Sequence, residues 1–163
     1  MDFTDLQGFN KGKEMKKVAF TVFLILLSCQ LALFSADIFT VAGSGTVAQV
    51  QQAIKAGADL NARNEQGRSP LMYAAWFNTN PEVLSVLIEA GVDVNARDKD
   101  GVTPLMLAAR HNINPEVLSV LIKAGANILL KDNSGKTTFD YAKNNSSIKG
   151  TKVYWELNDA RYK

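Results

Sequence analysis

Among 163 residues there is one cysteine, one histidine and four prolines. The lone Cys29 excludes an intramolecular disulfide, and a domain free of cysteine beyond it suits an oxidising exterior. The lone His111 removes paired-histidine metal sites. It also leaves a Ser/His/Asp triad resting on one imidazole, with no recognisable nucleophile elbow. Charge of one sign is lacking too: from residue 37 onward 14 Lys and Arg stand against 13 Asp and Glu. Such a balance lacks the concentrated basic face of a nucleic-acid binder. The Gly43-Ser44-Gly45 stretch has no preceding strand and no following Lys-Ser/Thr, so it reads as an inter-helix turn and not as a phosphate loop. Asp93, Asp98 and Asp100 fall where short acids brace their own hairpin backbone. No enzyme activity, cofactor, metal site or small-molecule substrate is expected.

What is present is repetition. GRSPLMYAAWFNTNPEVLSVLIEAGV, residues 67–92, returns as GVTPLMLAARHNINPEVLSVLIKAGA, residues 101–126. All four prolines lie inside these two copies. A period in this range signals a stacked solenoid. Each copy reads as two helices. Ser69 or Thr103 caps the first and Pro70 or Pro104 sits at its first position; Asn80-Pro81-Glu82 and Asn114-Pro115-Glu116 repeat that logic for the second. Leu71 and Leu105 anchor the core, and Ala74, Ala75, Ala108 and Ala109 allow a neighbouring helix to approach closely. Val83, Leu84, Val86, Leu87 and Ile88 make a broad apolar face on the second helix, which stops at Gly91, as the next copy stops at Gly125.

These residues, with Asp93-Val94-Asn95-Ala96, resemble the ankyrin repeat, and the resemblance runs from Asp37 to about Lys163. It implies an all-α solenoid of helix-turn-helix repeats joined by β-hairpin-like loops. Met72 and Met106 depart from the family's usual histidine. The period is also one residue longer than the family's, owing to the loop before each Asn-Pro. The boundaries read as a cap repeat over 37–66, repeats over 67–100 and 101–134, and a closing cap over 135–163. The first cap lacks the Thr-Pro opening but keeps Val50, Ile54, Gly57, Ala58, Asp59, Asn61 and Ala62 in step. In the last, Thr138 replaces proline; Ile148, Val153, Trp155 and Leu157 are expected on the inner face and Asp140, Lys143, Asn144 and Asn145 on a wet outer one. Leu129 and Leu130 either pack on the last repeat or leave an apolar edge. The Asn144-Asn145-Ser146 sequon reads as accidental.

Residues 1–36 belong to another regime. Lys16 and Lys17 precede the uncharged run 18–34, and Ser35-Ala36 follows, the layout of a secretory signal cleaved after Ala36. Met15 is a candidate start, which gives the compact basic-then-apolar order of a bacterial signal. Two alternatives stay open: an uncleaved anchor, since the run is near spanning length, and lipidation at Cys29, whose surroundings Leu26-Leu27-Ser28 resemble a lipobox.

The resemblance further implies a protein partner lying across the concave side of a monomeric domain. The positions carried over are Arg63, Glu65, Gln66, Arg68, Trp76 and Phe77 in one repeat. Arg97, Lys99, Asp100, Val102, Arg110 and His111 follow in the next, and Lys131, Asn133, Ser134 and Lys136 in the third. Trp76 and Phe77 either await a partner or fold back over the longer loop; on the first reading their joint replacement by alanine leaves stability within about 1 kcal/mol. Tyr73, Leu107 and Tyr141 are expected in the core. The reading that follows is an exported, non-catalytic interaction module, with a membrane-tethered scaffold as the alternative.

Overall fold

Every helix start foreseen from a hydroxyl or amide followed by proline is present. In the computed structural model, which describes residues 37–162, α1 spans Ile38–Ser44, α2 Val47–Lys55, α3 Pro70–Phe77 and α4 Pro81–Glu89. They are followed by α5 Pro104–His111, α6 Pro115–Lys123, α7 Thr138–Ala142, α8 Lys152–Asp159 and a short 3-10 turn. The Ser69 and Thr103 hydroxyls accept from the Met72 and Met106 amides, and the Asn80 and Asn114 side chains accept from the Glu82 and Glu116 amides. Met72 takes over the reciprocal part of its capping box, its sulfur accepting from the Ser69 amide at 3.4 Å. The signal, anchor and Cys29 expectations lie outside the described residues.

The first helices α1, α3, α5 and α7 stack in one row and the second helices α2, α4, α6 and α8 in another. The alanines explain the closeness of the first row: Ala74, Ala75, Ala108 and Ala109 are fully buried between neighbours. Between the rows lies one continuous core of Leu71, Leu84, Leu87, Leu105, Leu118 and Leu121, each at most 1% exposed. Burying such side chains contributes about 2 kcal/mol apiece, and no single pair of helices hides its own leucines. Stacking therefore comes with stability, as expected of a solenoid.

The longer loop turns out to be stitched. Asn78 Nδ2 donates to the Ala42 and Gly45 carbonyls, Asn112 to those of Ala75 and Asn78, and Asn145 to those of Ala109 and Asn112. This amide ladder was not anticipated, and it corrects one expectation: Asn145 is buried, not on a wet face. Trp155 is also corrected. Val153, Tyr154 and Leu157 share the inner side of α8, which turns Trp155 outward at 55% exposure. Leu129 likewise stays 55% exposed and Leu130 half-buried, whereas Ala96 of the preceding repeat is buried.

Hairpin-like loops join the pairs, although among the described residues the only β-bridge is between Lys131 and Thr137. Each loop turns on a glycine of positive φ, Gly67 at 78° and Gly101 at 77°. Each is braced by one short polar residue: Asn64, Asp98 and Asp132 accept two amides apiece through Oδ1. Asp98 thus acts as foreseen, and Asp93 braces the Asn95 amide.

Candidate interaction face

The side of the stack formed by hairpins and first-helix ends carries a polar cleft of about 220 Å³. Eight of the positions singled out from sequence line it: Arg68, Trp76, Asp100, Val102, Arg110, His111, Asn133 and Ser134. Met106, Leu107, Asp132 and Tyr141 complete it and were not singled out as site residues. Arg63, Glu65, Gln66, Phe77, Arg97, Lys99, Lys131 and Lys136 are exposed around it without lining it. Val102 is half-buried and packs with Met72, Ala96 and Leu107, so it is part of the floor more than a tip.

Trp76 is neither free nor folded over the inter-helix loop. Its ring stacks on Phe77 at 4.8 Å between centroids and on His111, one repeat along, at 4.6 Å. The Arg68 guanidinium lies 4.8 Å from its centroid. That leaves Trp76 half-buried against the Met72 cluster while Phe77 remains 54% exposed. The two aromatics therefore differ, and the expectation that both are dispensable to stability is revised for Trp76. His111 titrates below the ordinary imidazole value, first because of partial burial and then because of the nearby Arg110 and Arg68 cations. It is held neutral at physiological pH, a state compatible with lying flat on an indole.

Arg68 ties two repeats together, its Nε 3.4 Å from Asp98 Oδ2. The reason for this reach lies in the column nine residues beyond each bracing residue. Asn64 donates to the Tyr73 hydroxyl at 3.0 Å, and the Tyr141 hydroxyl donates to Asp132. At the middle copy Leu107 has no hydroxyl, so the buried Asp98 carboxylate is met by Arg68 instead. Tyr73 and Tyr141 are accordingly only half-buried, a correction to full burial, with Tyr141 packed against the core while also lining the cleft; Leu107 is buried as expected.

Across the hairpins the backbones pair. The Lys99 amide donates to Gln66 and the Asn133 amide to Asp100, while Arg97 reaches the Lys131 carbonyl at 2.8 Å. The face is consequently a braced surface whose positions recur from repeat to repeat. Among the described residues no group of three His, Cys, Asp or Glu side chains is placed to hold a metal.

A family model described as ankyrin repeats, in three copies, matches residues 38–132 and 75–152. No curated protein matches the chain.

Proposed function

The chain belongs to the ankyrin-repeat family, and from that premise we propose that it is a non-catalytic module binding another protein through its concave face. Repeats of this family generally mediate protein–protein interaction. The observation that carries the choice of face is the row of hairpins locked in register around a cleft, with Phe77 and Arg110 left exposed at its edge. A braced surface with an aromatic and arginines on offer is what tight recognition uses, since ordering loosely held groups would subtract from affinity.

Photo-crosslinking tests the reading. A photoreactive residue at Phe77 should capture a protein partner from an extract of the source organism, while one at Glu89, on the row of second helices, should not. Capture confined to Glu89 would overturn it.

We further propose export, on the strength of Lys16-Lys17 followed by the uncharged run 18–34 and Ser35-Ala36. Intact-mass analysis of the native protein decides between a free domain beginning near Asp37 and a tethered one. An acylated chain beginning at Cys29, or a retained segment, would favour the tethered scaffold.

A further inference from the structure

Residues 37–162 carry as many Lys and Arg as Asp and Glu, yet the fold separates them. The hairpin and helix-end segments 63–68, 97–102, 110–111 and 131–136 hold seven Lys and Arg against four Asp and Glu. Two of those acids, Asp98 and Asp132, are buried and occupied in bracing the loops. The remainder of the described domain carries an excess of acid equal to the excess of base here.

The cations are also ordered. Arg63, Arg97 and Lys131 recur at one position per repeat, all exposed, and the first helices that carry these repeats stack roughly 8–10 Å apart. Arg110 lines the cleft and Lys136 lies beside it, 5.6 and 5.8 Å from the Tyr141 ring, and they form no ion pair among the described residues. Arg63 and Arg97 each spend one donor on a backbone carbonyl, of Gly67 and of Lys131, and keep the rest of the guanidinium fork for carboxylates. The field of the whole row would steer an anion towards the cleft.

Resting on the concave-face reading above, we infer that the partner presents an extended acidic protein segment, its carboxylates spaced to meet one cation per repeat. In an extended polyproline II conformation, with three residues per turn and about 3.1 Å per residue, every third side chain returns to the same side after roughly 9 Å, close to the spacing of the rungs. Single-stranded nucleic acid fits less well. Its affinity would draw on base stacking, whereas Trp76 already has Phe77, His111 and Arg68 against its ring.

The test uses a fluorescein-labelled peptide with Glu at every third position, the same peptide with Gln, and an oligothymidylate of equal charge, followed by anisotropy at low and raised salt. The Glu peptide should bind, weaken as salt is raised, and lose at least about tenfold in affinity in the double variant Arg110→Glu with Lys136→Glu. Both side chains are exposed, so a thermal melt should show the variant folded. Absence of binding, equal binding of the Gln peptide, tighter binding of the oligothymidylate, or indifference to charge reversal would each overturn the inference. Running the Phe77 crosslinker in the same double variant separates the two levels. Capture that disappears supports the acidic segment, and capture that persists overturns it while leaving the concave-face reading intact.

Discussion

Asn112 donates one amide hydrogen to the Asn78 carbonyl at 3.0 Å and the other to the Ala75 carbonyl at 2.9 Å, and its own Oδ1 accepts from the Asn114 amide. One side chain, 1% exposed, thereby serves three backbone groups in two repeats. Each group abandoned in the interior costs about 1 kcal/mol or more. We expect Asn112→Ala to lose roughly 3 kcal/mol in urea unfolding, far beyond a surface substitution. Asn112→Asp keeps the acceptor but turns a carboxylate on two carbonyls, and it should be no more stable at neutral pH. A loss below about 0.5 kcal/mol would show that the ladder merely decorates the loop.

Glycine is needed unequally. Gly91 and Gly101 both have positive φ, 89° and 77°. A Cβ at Gly91 meets nothing within 4 Å among the described residues, whereas at Gly101 it would lie 2.5 Å from Asn133 Oδ1 and 2.6 Å from an Arg97 nitrogen. Gly91→Ala should cost only the left-handed backbone term, about 1 kcal/mol. Gly101→Ala adds the disturbed hairpin bonds of Asn133 and Arg97 and should cost roughly 2–3 kcal/mol. Equal melting temperatures for the two variants would contradict this.

The Tyr141–Asp132 contact links stability to pH at both ends. The phenol is pushed up to about 12, by burial first and then by its bond to Asp132. A raised folded value means stability that is complete below the unfolded phenol range near pH ~10 and is lost on the way to 12. Burial also pushes the Asp132 carboxyl up, but the bonds from Tyr141 and from the Lys136 and Ser134 amides together hold it below its ordinary value. That contribution is complete above the unfolded carboxyl range near pH ~4 and is lost as pH falls through the lowered value. Tyr141→Phe should therefore flatten the alkaline limb of a melting-temperature profile and move the acid limb to higher pH. An unchanged alkaline limb would remove Tyr141 from the account.

Thr138 occupies the place of Pro70 and Pro104 at the first position of its helix, and its hydroxyl is fully buried with no hydrogen-bond partner among the described residues. Its predecessor Thr137 is already extended, at ψ 170°, as a residue before proline must be. We expect Thr138→Pro to stabilise the domain by about 1 kcal/mol, through removal of the orphan hydroxyl and restriction of the unfolded chain. Thr138→Val should retain part of that gain. Destabilisation by both variants in calorimetry would mean that the hydroxyl has a partner in solution.

Trp76 and Phe77 should separate on mutation. Trp76→Ala removes a half-buried ring stacked on the next repeat and is expected to cost about 2 kcal/mol. Phe77→Ala is expected to stay within about 1 kcal/mol while reducing partner capture. A loss of about 2 kcal/mol for Phe77→Ala as well, in chemical denaturation, would make that ring part of the packing and contradict the separation.

Sequence alone determined what depends on near neighbours along the chain. The caps at Ser69, Asn80, Thr103 and Asn114, the left-handed stops and the period that demands stacking are all set by contacts a few residues apart, where spacing and stereochemistry suffice. Tertiary structure decided what depends on groups some 30 residues away. Asn78, Asn112 and Asn145 look like loop polar residues until the preceding repeat supplies their carbonyls, and Trp76 looks free until His111 arrives beside it. Arg68 is one more surface cation until Leu107 leaves Asp98 without a hydroxyl. A chain with no net charge over residues 37–162 acquires a basic face only because stacking gathers one position from every repeat onto the same side.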